Sequence, residues 1–258
     1  MDYWQKLSKN PFDDLAWNLP ETRQGSVSIF GGNDKSFNTE IRISEKFLNN
    51  TKVKDVKLIL PDTLKNKLPP VENFLFVKST DSGSLADSPE LTASVNLSDF
   101  NLFLGDFSKN SITEQAVGSA CVSAEKPTLL TRDTIDLIAN GNPEKILEKE
   151  SVIVLASMAQ LQKLFHAALY PKMILLSMSL MQAAETLHKF TLSYPVTVVT
   201  FHSGSIVVAK DGIIYSVPIE QTSYSPITLW TGELATKIVE LNLFNPNNYL
   251  KATVAALF

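Results

Sequence analysis

Cysteine is nearly absent from this chain. Cys121 stands alone among 258 residues, which excludes an internal disulfide and a cysteine-rich metal site. Histidine is almost as scarce. His166, His188 and His202 fall in separate stretches, with no His-x-x-x-His or Cys-x-x-Cys spacing, so no dedicated transition-metal site is expected. An excess of positive charge is missing too: 23 Lys and Arg face 27 Asp and Glu, a formal net charge of −4 with the signs interspersed. A nucleic-acid binder would show a basic stripe. The richest apolar run, Met173 to Met181, is too short to span a bilayer, and MDYWQKLSKNPFDDLAW at the start lacks the apolar centre of a secretory signal. No sequence period signals a repeat protein. Neither partner class, nucleic acid or membrane, is expected, and cytoplasm is the expected setting.

What is present is an ordinary globular composition, 44% apolar and 19% charged, arranged as short β-rich runs alternating with helical patterns. GSVSIF (Gly25 to Phe30) reads as the first strand and Asn38 to Asn49 as a helix with Ile41, Ile43, Phe47 and Leu48 on its apolar positions. Val56 to Pro61, Phe74 to Val77, Phe100 to Gly105, Pro127 to Thr131 and Ser151 to Ala156 read as further strands. Ser79 to Glu90, rich in Ser and Asp, reads as an internal loop. A helix is predicted over Ser111 to Ala124, capped by Ser111 with Glu114 three residues on. Lys172 to Phe190 reads as one long helical region. TVVTF, SIVVA and IIYSV then follow as three close strands, with AKDG (Ala209 to Gly212) as a hairpin turn. Two helices are expected to begin near Thr231 and Asn245, the second with Pro246 in its first turn. The order predicts one α/β domain over residues 25–258, with residues 1–24 as an extension packed on it.

Three stretches invite chemistry. GGNDKS (Gly31, Gly32 and Asn33 onward) lies at the end of the first strand, where open α/β sheets place ligands. It lacks the G-x-x-x-x-G-K-[ST] spacing of a triphosphate loop, and a plain tight turn fits it equally. HSGS (His202 to Ser205) lacks the G-x-S-x-G frame of a nucleophilic serine and reads as a turn. ITLWTGELATKIVEL (Ile227 to Leu241) reads as a strand end, a turn at Thr231-Gly232 and a helix opening on Glu233. A helix N-terminus suits an anion, and Glu233 is within reach of a role as general base. An ordinary helix start also favours an acidic first turn. Trp230 is the anomaly, a bulky ring where a phosphate loop wants a small residue.

Taken together, these segments resemble the carboxy-terminal YjeF-type family, the ADP- or ATP-dependent NAD(P)H-hydrate dehydratases of the ribokinase-like superfamily. The resemblance runs from about Gly25 to the C-terminus through element order and a few anchors. RQGSVSIFGGN is similar to the family's first strand, and LFLGDF, with Gly105, falls at its G-P-G-x-G loop. LLTRDTIDLI is similar to its L-D-A-D-A-L strand end, keeping Asp133. VIVLASMAQLQKLF resembles its L-T-P-H-x-G-E segment, and TLWTGELATKIVEL its G-G-T-G-D-x-L-x-G segment. The resemblance implies an α/β, ribokinase-like three-layer sandwich with a mostly parallel central sheet and a late antiparallel hairpin. It also implies ATP or ADP with Mg2+, NAD(P)H hydrate as substrate, Thr231 and Gly232 as anion hole, and Glu233 as base. Gly31, Gly32, Asn33, Gly105, Asp133, Ser157, Gln160, His202 and Trp230 would line the nucleotide or substrate pocket, with no metal ligand among protein side chains. Family relatives assemble as homo-oligomers, for which Leu243, Phe244 and Phe258 are candidate contacts.

The departures fall on the same positions. Leu229 and Trp230 replace two loop glycines, and Glu233 is one methylene longer than the family's Asp. Ser157, Met158, Gln160 and Leu161 stand at the Pro, His, Gly and Glu positions, and Phe201 and His202 at a Lys-Gly pair. Thr131 replaces the first Asp of L-D-A-D. So many changes at ligand-touching sites imply a lost or replaced chemistry. The sequence therefore carries two readings, a hydrate dehydratase and a catalytically degenerate relative with a structural or regulatory binding role; a small-metabolite kinase ranks behind both.

Overall fold

The computed structural model describes residues 2–141, 143–225, 227 and 230–258. Among them, ten strands form one sheet: β1 (Trp4–Lys6), β2 (Gln24–Gly31), β3 (Val53–Pro61), β4 (Phe74–Val77), β5 (Phe100–Gly105), β6 (Thr128–Thr131), β7 (Val152–Leu155), β8 (Thr197–His202), β9 (Ser205–Lys210) and β10 (Ile213–Pro218). Their spatial order is β1-β10-β9-β8-β7-β6-β5-β2-β3-β4. Pairing is parallel from β4 across to β8, then antiparallel through β8, β9 and β10. The antiparallel turns are those the sequence announces. Asp211 and Gly212 both take positive φ, 50° and 74°, as a two-residue hairpin matched to strand twist requires.

Central strands are apolar on both faces because helices cover both. Neighbouring residues alternate between two cores: Ile29, Leu102 and Leu104 face one side, Phe30 and Phe103 the other. The first core is closed by α1 (Asn38–Asn50), α8 (Glu233–Phe244) and α9 (Tyr249–Ala255). The second is closed by α2 (Pro89–Ser94), α3 (Ser111–Ser123), α4 (Asp133–Asn140), α5 (Glu144–Leu147), α6 (Met158–Ala167) and α7 (Leu180–Ser193). On that second side the Phe30 and Phe103 rings stack at 4.4 Å and 9°. The result is a three-layer α/β sandwich.

Four local expectations are corrected. The helix read over Lys172 to Phe190 begins only at Leu180, because Ser179 and Gln182 form a reciprocal capping box there. The residues before it anchor through buried Ile174 and leave Leu176 67% exposed. Ser111 is not a cap but the first helical residue of α3; Asn110 precedes it and accepts from Thr113 N–H at 2.9 Å. The last helix starts at Tyr249, beyond Pro246. In place of a strand end, Ile227 and Trp230 are helical, with the Thr231 amide donating to the Ile227 carbonyl at 3.2 Å; Thr228 and Leu229 lie outside the described residues.

The cap reassignment has a measurable consequence. Asn110→Ala should lower unfolding stability by about 1–2 kcal/mol, and exposed Ser111→Ala by only a few tenths. Urea titration of both variants checks this, and equal losses would return the cap to Ser111.

Candidate functional site

The chain places β3 and β4 on one side of β2, then jumps back to lay β5, β6 and β7 on the other. The connections after β2 and β5 therefore leave toward opposite faces. Their carboxyl ends flank the switch point where open α/β sheets open a crevice. The register shifts between Phe30 and Gly31, so that Gly31 pairs with Gly105 and Leu104 is skipped.

That crevice is filled by the protein's own groups. Gly32 N–H donates to the Gly105 carbonyl at 2.9 Å, and the Asn33 side-chain amide donates to the Asp106 carbonyl at 2.6 Å. Asp133, the first residue of α4, accepts from the Asp106 and Phe107 amides at 2.8 and 3.0 Å. Burial pushes its carboxyl pKa up, against those amide bonds. Arg132 pairs with Asp106 at 2.6 Å. Beneath the two glycines lies Glu40, fully buried in the first turn of α1, with neither carboxyl oxygen hydrogen-bonded. Desolvation, with the Asp106 charge adding to it, raises its pKa well above the ordinary range. A Cβ on Gly31 would stand 2.6 Å from the Gly105 carbonyl and 2.7 Å from Glu40 Oε1. Gly31, Gly32, Asn33, Gly105 and Asp133 thus come together as predicted, joined by Glu40, Asp106 and Arg132.

Ser157 and Gln160 are absorbed into a second capping box, at the start of α6. Gln160 also donates to the Arg132 carbonyl at 2.6 Å and to Asp136 at 3.0 Å, tying α6 to α4. His202 is buried at the end of β8, its Nε2 2.6 Å from the Met178 carbonyl.

At the start of α8, Gly232 is the N-cap with φ 85°. A Cβ there would come within 3.0 Å of Ile43 and 3.1 Å of Leu104, so only glycine lets this helix end settle against α1 and β5. The Arg42 guanidinium donates to the Thr231 carbonyl. Glu233 turns toward the same helix, its carboxylate 3.7 Å from both Arg42 and Lys46. Lys46, Glu233 and Tyr224 share a groove of about 130 Å³. Burial, then the charges of Glu233 and Glu240, push the Tyr224 phenol up to about 12.

Trp230 points elsewhere. With Phe201, Leu155, Ser157, Met158 and Leu176 it lines a cavity of about 210 Å³ off the carboxyl ends of β7 and β8. No described lining residue carries a charge. The predicted residues therefore divide among a filled switch crevice, an ion-paired helix start and an apolar cavity. Glu40 had a visible signal: it sits on the buried stripe Glu40, Ile43, Ser44, Phe47, spaced i, i+3, i+4, i+7.

No protein-family model matches the sequence, and no curated protein does. Solved structures do. A ribokinase-like superfamily protein from Enterococcus faecalis aligns over 99% of this chain and 86% of its own, with TM-score 0.68 and 15% identity. An ADP/ATP-dependent NAD(P)H-hydrate dehydratase from Bacillus subtilis, crystallised with ATP and Mg2+, aligns over 95% and 84%, with TM-score 0.61 and 13% identity. An Anopheles gambiae adenosine kinase aligns over 98% and 89%, with TM-score 0.52 and 8% identity. Sequence has diverged almost to background across these pairs while the layered sheet has not: the chain has the ribokinase-like fold.

Proposed function

We propose that this protein is a catalytically degenerate relative of the nucleotide-dependent hydrate dehydratases, which acts by binding rather than by phosphoryl transfer. One observation carries the reading. The cavity beside the start of α8 is walled by Trp230 and Phe201, and its described lining offers neither cation nor carboxylate. Phosphoryl transfer needs fixed positive charge and donors around the moving group. This lining does not fit ATP with Mg2+, and no step is routed through them.

The position of Glu233 supports the same reading. Its carboxylate is held by two cations of α1, which favour the ionised form without placing it beside the cavity lining. A dehydratase reading is favoured by one feature, the glycine-capped N-terminus of α8 beside β5. In that reading Thr231 and Gly232 bind the anion and Glu233 takes the proton.

Turnover decides between them. Hydrated NADPH incubated with ATP or ADP and Mg2+ should give no dehydration above the uncatalysed background. Dehydration that Glu233→Gln lowers by about 100-fold, the scale of a lost general base, would overturn the degenerate reading.

A further inference from the structure

We propose that the apolar cavity at the ends of β7 and β8 is a binding site for a small neutral planar ring bearing an N–H on its edge. The inference rests on the reading that no phosphate is transferred there, and it names what the site takes instead.

Size comes first. An apolar cavity of about 150 Å³ accepts benzene, so about 210 Å³ accommodates a substituted or fused ring. Wall chemistry agrees. Phe201 of β8 and Trp230 ahead of α8 bring two aromatic side chains from separate segments to one space, and every planar base or heteroaromatic ring offers a face for stacking. The mouth adds a third argument. Leu176 is 67% exposed and Trp230 40% exposed, so a ring seated between them removes apolar surface from water on both sides. A phosphate or carboxylate would lose its hydration and meet no described opposite charge.

Ser157 sets the edge chemistry. Its Oγ accepts from Gln160 N–H at 3.1 Å and lies 3.2 Å from Gln160 Oε1, to which it donates. A hydroxyl has one donor and two acceptor lone pairs. The capping box thus consumes the donor and leaves an acceptor on a residue that lines the cavity. An amino, amide or ring N–H suits that acceptor; a lone carbonyl does not.

Such a ring could arrive free or as part of a nucleoside or nucleotide, and the experiment separates these sources. The full chain is titrated calorimetrically with adenine, nicotinamide and indole, and in parallel with adenosine, ATP and inorganic pyrophosphate. Adenine or nicotinamide should bind with a dissociation constant at or below roughly 1 mM. Ala159 lines the cavity and is exposed, so Ala159→Leu should fold normally and weaken ring binding at least about tenfold by filling the space. Trp230→Ala should weaken it similarly.

Tighter binding of adenosine than adenine would identify a nucleoside as the source. Rejection of ATP with retention of the base would identify the free ring; both uphold the site. Absence of binding by every ring, ring binding indifferent to Ala159→Leu, or pyrophosphate binding that Ala159→Leu abolishes would each overturn it. Failure here is distinct from failure of the functional reading. Dehydratase turnover removes that reading whatever the rings do, and silent titrations without turnover remove only the ring site.

Discussion

Replacing Gly105 by alanine is expected to lower unfolding stability by about 3 kcal/mol or more, the largest single effect anticipated in the chain. Gly105 ends β5 with φ 117°, a conformation L side chains rarely adopt, and strain of that kind costs about 1–3 kcal/mol. The added Cβ would overlap Asp133 Oδ1 outright. Asp133 must then retreat, and with it go the bonds it accepts from the Asp106 and Phe107 amides, each worth about 1.5–3 kcal/mol as a bond to a charged acceptor. Gly118 supplies the control. It lies within α3, and a methyl group added there would meet nothing within 4 Å, so Gly118→Ala should raise stability by about 0.5–1 kcal/mol. Opposite signs for the two substitutions in chemical denaturation are the expected result. A Gly105→Ala loss below about 1 kcal/mol would mean that the Asp133 cradle yields freely.

The second large effect depends on pH. Glu40 has a folded pKa raised well above its ordinary value of 4.5, first by desolvation and then by the charge of Asp106. Between the unfolded and folded values the native chain holds one proton more than the unfolded chain, so stability falls as pH rises through that window. Below pH 4.5 the stability is undiminished by this group, because both states are protonated there. Glu40→Gln removes the titration and keeps the shape. Its advantage over the parent should be smallest near pH 4.5 and widen by up to about 1.4 kcal/mol per pH unit above it, until the folded pKa is passed. Asp106, Arg132 and Asp133 are the charged neighbours that act on this carboxyl, and all remain in the variant. Denaturation at several pH values from about 5 to about 9 reads the difference directly. A gap that stays flat across the series would show that Glu40 is ionised or water-exposed.

The sheet was legible because its strands obey local rules. Uninterrupted apolar runs such as FNLFLG are what strands covered on both faces require, and Asp211-Gly212 specifies its hairpin by backbone conformation alone. Chemistry was less legible, for two physical reasons. Ser157 and Gln160 make ordinary capping contacts, and nothing in their spacing distinguishes a cap from a ligand position. Glu40 was hidden inside a stripe read for its apolar members, though an acid on the buried face of a helix is itself the signal. The 172–179 stretch misled differently. Its apolar residues fit a helical pattern, while in the fold Ile174 anchors the segment and Leu176 faces the cavity and solvent.

The first strand has a consequence for how the chain is made. Trp4 of β1 pairs with Ile214 of β10, its indole N–H donates to Ser216 at 2.9 Å across a separation of 212 residues, and Tyr3 stacks on His188 at 3.9 Å. A ribosome therefore releases the partners of this opening segment only after most of the polypeptide has emerged. Until then its aromatic residues wait without their final company, dependent on whatever shields nascent chains, and the last edge of the sheet to be sealed is sealed by the earliest residues synthesised.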